Sequence, residues 1–97
     1  MSDYWILDGH AAVPVDDVRE WARMFEGAAR RVASDSVGVI RVSTVFLGID
    51  HSFGDGPPLL FETMIFGGKH NDYQRRCSTW DEAEKQHAAA LAVARTK

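Results

Sequence analysis

The apolar and polar positions of the chain follow two different repeats, one typical of strands and one of helices. Residues 4–7 are rich in strand formers and stop at Asp8-Gly9, which predicts a short strand that turns back through Ala12-Val13 as a hairpin. Further along, apolar residues recur every three or four positions, which predicts a helix over about 17–33. The residues of that apolar face are Val18, Trp21, Ala22, Phe25, Ala29 and Val32.

The middle of the chain is dominated by alternation with a period of two. It predicts a long strand over about 37–50, a returning strand over 59–66 and a short third strand over 73–77. Residues 51–58 contain two Gly and two Pro and are predicted to form a loop between the first two of these strands. Both faces of 59–66 are mainly apolar, so we expect one face to meet helices and the other to meet a partner.

The last element begins with a capping signal. Thr79-Trp80-Asp81-Glu82 fits the T-x-x-E capping box, which predicts a second helix from about Trp80 to Ala94. We therefore expect a single α+β domain over residues 1–97. It consists of an antiparallel β-meander of three main strands and a short N-terminal hairpin, packed with two helices in the order β-β-α-β-β-β-α.

Composition narrows the class of protein. With 45% hydrophobic and 26% charged residues, the 97-residue chain is typical of a small globular domain. Eleven Lys and Arg against fourteen Asp and Glu give a net charge of −3, which disfavours duplex nucleic acid as a partner. Cys77 is the only cysteine, the N-terminus lacks the pattern of a secretory signal, and no apolar run approaches the ~20 residues of a membrane helix. We expect a cytoplasmic protein that does not enter a membrane.

The histidines are not arranged as metal ligands. No H-x-x-x-H or C-x-x-C spacing occurs, so we expect neither a metal nor another cofactor. Glu84 and His87 have the Glu-x-x-His spacing of bundle di-metal sites, but the further carboxylates of such a site are lacking, and the two residues are interpreted as a surface pair. No nucleophile motif is recognisable, and no catalytic residue is assigned.

Two acidic positions on the strands stand out. Asp50 and His51 lie at the mouth of the Gly-Pro loop, where they either cap the turn or present groups to a ligand. Glu62 lies inside an apolar strand, where a carboxylate is costly unless it is paired. Its candidate partners on the neighbouring strands are Arg41, Arg75 and Arg76. Such a pair either fixes the strand register or forms a polar pocket.

Cationic, hydroxyl and aromatic side chains gather before the second helix, whose free N–H groups favour an anion. Thr79 and Glu82 compete for the same N–H groups, and the Glu82 charge opposes an anion. With Trp5, an aromatic that suits base stacking, these positions form the candidate ligand-binding set. The set is Trp5, Asp50, His51, Glu62, Tyr73, Arg75, Arg76, Ser78 and Thr79.

Three segments carry a resemblance to a known group. Residues 43–68 read STVFLGIDHxFGxGPPLLFETMIFGG, residues 73–87 include YxxRxSTWxEA and His87, and residues 5–10 read WILDGH. Together they resemble a group of small proteins of tailed phages and prophages that has no assigned reaction. The resemblance covers most of the chain. It implies a phage accessory protein in the host bacterial cytoplasm, where such proteins often counter host defence.

Three functions are consistent with these features. The first is stoichiometric sequestration of a small anionic ligand, such as a nucleotide immune signal. The second is inhibition of a host defence protein, for example a CRISPR effector, by direct contact through the apolar strand face and the Phe53 loop. The third and least favoured is a small enzyme with Asp50, His51 and Glu62 as acid-base groups. A homodimer is also expected, because a small sheet with two apolar faces leaves surface uncovered.

Overall fold

A computed structural model describes residues 3–96 of the chain. Two helices and six strands follow one another in the order β-β-α-β-β-β-β-α. The strands are β1 (Tyr4–Asp8), β2 (Ala11–Val15), β3 (Arg31–Val37), β4 (Ile40–Phe46), β5 (Phe61–Phe66) and β6 (Gln74–Cys77). The helices are α1 (Val18–Glu26) and α2 (Trp80–Ala94).

The strands form two antiparallel sheets. β1 and β2 make the N-terminal hairpin, and the larger sheet is a meander in the order β3-β4-β5-β6. The α+β class, the hairpin, the antiparallel meander and the two helices are therefore confirmed. The meander has four strands rather than three. The additional strand, β3, pairs with β4 at the edge of the sheet. Its first residues, 31–33, were predicted to be the end of the first helix.

The helix predicted over 17–33 is too long. α1 ends at Glu26 with Gly27 as its C-cap, and the chain then crosses to β3. Gly38, with φ +60°, and Val39 form the two-residue connection between β3 and β4, whose pairing begins at Val37 and Ile40. Glycine in the first position of such a connection suits a type II′ turn. The long strand predicted over 37–50 is thus divided, and β4 ends at Phe46.

The second helix begins and ends where the sequence predicted. Thr79 is its N-cap, and the Thr79 hydroxyl accepts from the Glu82 N–H while the Glu82 carboxylate accepts from the Thr79 N–H. Such a reciprocal cap satisfies two N–H groups that would otherwise lack partners. No helix among residues 3–96 is both long enough and apolar enough to cross a membrane.

α2 covers one face of the meander and leaves the other open. Ala90 and Ala94 of the helix pack against Val42 of β4 and Ile65 of β5, all of them buried. A second cluster around Phe46 and its neighbours connects the sheet to the hairpin and α1. A series of ring contacts connects the hairpin, α1, the sheet and the start of α2; its members are, in order, Tyr4, Trp21, Phe25, Phe46, Phe61, Trp80 and His10.

Candidate functional site

The N-terminal hairpin is held against the end of the larger sheet by its backbone. The Trp5 N–H donates to the Gly48 carbonyl at 2.8 Å, and the Asp50 N–H donates to the Asp3 carbonyl at 2.9 Å. On α1, the indole N–H of Trp21 donates to the Trp5 carbonyl at 2.9 Å. These contacts hold the Trp5 backbone in place, so its side chain has a defined position beside the 51–58 loop.

Asp50 closes that loop. Its Oδ1 atom accepts hydrogen bonds from the N–H groups of Ser52 at 2.8 Å and Leu59 at 2.9 Å, which joins the two ends of the loop. Burial raises the pKa of the Asp50 carboxyl, but the hydrogen bonds from Ser52 and Leu59 outweigh burial and leave the pKa below its ordinary value. Asp50 therefore caps the turn, the structural alternative that its position allowed.

Two neighbouring cavities lie where the hairpin, the loop and the start of α2 meet, and Trp5 and Pro58 line both. The first has a volume of about 360 Å³ and its lining includes His10, Ser78, Thr79 and Trp80. The second has a volume of about 380 Å³ and its lining includes Asp3, Asp50, Ser52 and Gly56. Each reaches the lower end of the size range of small-molecule sites.

The wall of the first cavity contains a stacked pair of rings. The imidazole of His10, at the tip of the hairpin, lies 3.8 Å from the Trp80 indole with an angle of 7° between the planes. The Phe61 ring lies 6.3 Å from the Trp80 ring and is nearly perpendicular to it. The Trp80 indole N–H is buried and has no acceptor among residues 3–96. The cavity therefore has a flat aromatic wall, formed by the stacked His10 and Trp80 rings.

The structure divides the candidate ligand-binding set among separate places. Trp5, Asp50, Ser78 and Thr79 line the paired cavities, and the His51 N–H donates to the Leu59 carbonyl at the base of the loop. The remaining residues do not line either cavity. The Arg75 guanidinium lies over the Tyr73 ring at 5.5 Å, and Glu62 and Arg76 contact each other on the open face of the sheet.

Glu62 has the arginine partner that its apolar surroundings required. Its Oε2 atom accepts from the Arg76 Nε at 2.8 Å and from the Gln74 amide at 2.6 Å. Glu62 of β5 and Arg76 of β6 are also directly opposite each other in the pairing of the two strands, so the ion pair is consistent with the strand register. The prediction of a cross-strand Glu-Arg pair is confirmed for Arg76. Among residues 3–96, no hydrogen bond links Glu62 to Asp50 or His51, so the three acid-base candidates of the enzyme hypothesis are not joined.

His87 is buried, which corrects its interpretation as half of a surface pair with Glu84. Only 5% of His87 is exposed, because it points from α2 into the sheet. Its Nε2 atom lies 2.8 Å from Asp35 Oδ2, and its Nδ1 atom lies 2.7 Å from the Thr44 hydroxyl. The Thr44 hydroxyl lies 2.7 Å from that of Thr63, which accepts from the Gln86 amide at 3.1 Å.

This hydrogen-bonded chain has the connectivity of a hydroxyl-imidazole-carboxylate triad but not its accessibility. A carboxylate only accepts, so the Nε2 atom of a neutral His87 carries the proton and Nδ1 accepts from Thr44. Thr44 and Thr63 are fully buried, so no substrate can approach either hydroxyl. The chain therefore joins α2 to the sheet, and it provides no nucleophile.

No group of three or more His, Cys, Asp and Glu side chains among residues 3–96 is placed to hold a metal ion. Three further cavity residues, His10, Trp80 and Pro58, were not predicted from the sequence pattern. His10 follows the Asp8-Gly9 turn, and Trp80 follows the capping residue Thr79. A turn and a helix cap both mark the end of a secondary-structure element, and side chains at such ends often border clefts. Nothing local in the sequence shows that these two ends meet.

Comparison with known proteins adds no assignment. No protein-family model matches the chain, and the curated proteins and the solved structures yield no significant match.

Proposed function

We propose that the protein binds and sequesters a small molecule that carries a planar ring, and that the ring lies in the first cavity between Trp5 and Trp80. One observation carries the proposal: the His10 imidazole is stacked in parallel on the Trp80 indole at the wall of that cavity. An indole that holds one flat heterocycle at 3.8 Å presents a surface suited to another. A ligand ring would either add to this stack or displace the exposed His10 from it.

The lining of the cavity indicates which part of a ligand would carry the binding. The polar side chains of this lining include Ser78, His10 and Thr79, whose hydroxyl is already bonded to Glu82, and Lys and Arg are not among the described lining residues. Stacking on an aromatic wall contributes about 1–3 kcal/mol per nucleobase. We therefore expect the ring to supply most of the affinity and an attached anionic group to supply little.

A nucleotide immune signal, the ligand class that the sequence favours, has such a ring. Its phosphate would lie toward Ser78 and away from the second cavity, because Asp3 and Asp50 there would repel it. In the phage context that the resemblance implies, stoichiometric binding of such a signal would counter host defence by lowering its free concentration.

The first experiment is native mass spectrometry of the protein purified from bacteria with active nucleotide-signalling defences. A stoichiometric small molecule released on denaturation, with an ultraviolet spectrum of a heterocycle, is expected. Protein that carries no small molecule, and that also fails to bind any of the four common nucleosides or their monophosphates by calorimetry, would overturn the proposal.

Variants then locate the site. Trp80→Leu is expected to weaken binding of the released ligand at least tenfold, because it removes the stacking wall but keeps an apolar side chain at the cavity. Phe53→Ala is the matched control, since Phe53 is 98% exposed on the neighbouring loop and lines neither cavity. A comparison of adenosine, AMP and ribose 5-phosphate separates ring from phosphate. Binding of ribose 5-phosphate alone would place the affinity in the anion and contradict the assignment.

A further inference from the structure

The larger sheet has one face that no other described element covers. α2 packs on the face that contains Val42, Thr44 and Ile65, and α1 reaches the same side through Phe25 and Phe46. Successive side chains of a strand point to opposite faces, so the alternate residues of β4 and β5 form the other side. This open face consists, on the two central strands, of Arg41, Ser43, Val45, Glu62, Met64 and Phe66.

The open face is basic, although the chain is acidic. Arg31 of β3 is in register with Val45, and Arg76 of β6 is in register with Glu62, so both flank the central strands on this side. Three arginines and one carboxylate give this face a net charge of +2. Since the whole chain carries −3, the remainder carries −5. The single carboxylate, Glu62, is already bonded to Arg76 and Gln74.

Two of the arginines are available to a partner. No ion pair involves Arg31 or Arg41 among residues 3–96, and the Arg41 guanidinium lies over the Phe66 ring at 4.9 Å. Between the arginines lie the half-buried side chains of Val45 and Met64. An apolar centre with arginine at its border is typical of protein-binding surfaces.

The dimensions of the face indicate the size of its partner. The face is roughly 15 Å wide, because its four strands lie about 4.8 Å apart, and roughly 20 Å long, because six residues of a strand rise about 3.3 Å each. A standard interface buries about 800 Å² on each partner, well above the roughly 300 Å² of such a rectangle. The face therefore suits one short segment of polypeptide better than a folded surface.

We propose that the open face docks an acidic, partly apolar peptide segment of a partner protein. Its carboxylates would pair with Arg31 and Arg41, while its apolar side chains would cover Val45 and Met64. Guanidinium-carboxylate pairs of this kind are bidentate and orient the bound segment. The surface is separate from the paired cavities, so it stands or falls independently of ligand binding there.

Other occupants fit the face less well. A second copy docked through the same face would bring a charge of +2 against +2, so the expected homodimer gains nothing from this surface. Single-stranded nucleic acid stacks its bases on exposed aromatic rings, and the one ring of the central strands on this face, Phe66, already lies beneath Arg41.

The test is a selection of displayed random ten-residue peptides on the wild-type protein, followed by anisotropy titration of the enriched sequences. We expect enrichment of Asp and Glu interspersed with apolar residues, and an affinity that falls several-fold between 50 and 300 mM salt. The variant Arg31→Glu/Arg41→Glu is expected to lose at least tenfold in affinity. Arg19→Glu/Arg23→Glu, which changes the net charge equally on the exposed surface of α1, is expected to stay within twofold of the wild type.

Several outcomes would overturn the proposal. They are a selection without acidic enrichment, an equal loss in both variants, and tighter binding of the oligonucleotide dT20 than of the selected peptides. A dimer in sedimentation that dissociates in Arg31→Glu/Arg41→Glu would assign the face to a second copy instead. Circular dichroism of both variants confirms that each is folded before binding is compared.

Discussion

The Nδ1 atom of His87 lies 2.7 Å from the hydroxyl of Thr44, a fully buried residue on the middle of the sheet. This contact joins the last helix to a central strand 43 residues earlier in the chain. It continues through His87 Nε2 to Asp35 on the edge strand β3. One imidazole therefore connects α2 with two strands of the meander.

We predict that His87→Ala lowers the free energy of unfolding by about 2–4 kcal/mol, because it leaves a cavity and a buried Thr44 hydroxyl without its acceptor. Urea denaturation measures the change. His70→Ala, at a half-buried histidine whose ring lies 3.2 Å from the Thr96 hydroxyl near the C-terminal end of the described chain, is expected to stay within about 0.5 kcal/mol of the wild type. A similarly small effect for His87→Ala would show that the hydrogen bonds of His87 with Asp35 and Thr44 contribute no stability.

Gly48 is a position where both the backbone and the surroundings exclude a side chain. Its φ is +76°, and a Cβ there would overlap the Phe25 ring. We predict that Gly48→Ala costs about 2–5 kcal/mol from backbone strain and overpacking together. Gly38→Ala is the matched control, because Gly38 has φ +60° but open space around it, and about 1–2 kcal/mol is expected.

The double variant Phe25→Leu/Gly48→Ala distinguishes the two causes. If the overlap matters, the cost of Gly48→Ala measured in the Phe25→Leu background falls toward that of Gly38→Ala. Equal costs in both backgrounds would mean that Phe25 moves aside freely.

Cys77 is predicted to be unreactive in the folded protein. Burial and the nearby Glu82 charge raise the pKa of the Cys77 thiol to about 11, so almost no thiolate forms at pH 8. A chromogenic disulfide reagent is expected to label the native protein slowly and the urea-unfolded protein completely. Rapid labelling of native protein at pH 8 would contradict the burial of this thiol.

The same pKa predicts a dependence of stability on pH. In the unfolded state the thiol loses its proton near its ordinary pKa of about 8.5, whereas in the folded state it keeps the proton to a higher pH. The contribution of this pKa difference to the free energy of unfolding is therefore complete below about pH 8.5. It is lost as the pH rises from about 8.5 to about 11. The unfolding free energy of the wild type should therefore fall more steeply over this range than that of Cys77→Ala, with the two curves parallel below pH 8.

Asp50 is predicted to hold the 51–58 loop closed. Asp50→Ala removes the acceptor of two backbone N–H groups and is expected to cost about 1 kcal/mol and to speed proteolysis within the loop. Asp55→Ala, at an exposed carboxylate of the same loop, is the control and should change neither quantity.

Because the pKa of the Asp50 carboxyl is lowered on folding, the ionised carboxylate contributes to the free energy of unfolding above its unfolded pKa of about 3.9. This contribution is lost as the pH falls through the lower folded pKa. The difference between wild type and Asp50→Ala should therefore shrink below pH 4, and a constant difference down to pH 2 would argue against the carboxylate as the cause.

Sequence patterns that extend over only a few residues predicted much of the fold. The capping box at Thr79 and Glu82 and the alternation along β5 each depend on residues close in sequence, and they predicted α2 and, with a start two residues too early, β5. The alternation over 37–50 predicted a strand that contains β4, but it did not show the turn at Gly38 and Val39 or the end of β4 at Phe46. The pairing of Glu62 with an arginine followed from the cost of an unpaired carboxylate in an apolar strand. The choice of Arg76 over Arg41 and Arg75 required the register of β5 and β6.

The sequence by itself determined the α+β class, the hairpin, the meander and the second helix, because turn residues, caps and short periodicities act over a few positions. Tertiary structure alone decided that residues 31–37 form a strand. Their apolar spacing also suited a helix, and pairing with β4 satisfied the backbone groups along that edge. It also decided that His87 is buried and that His10 meets Trp80, because contacts between residues more than 40 positions apart leave no local pattern.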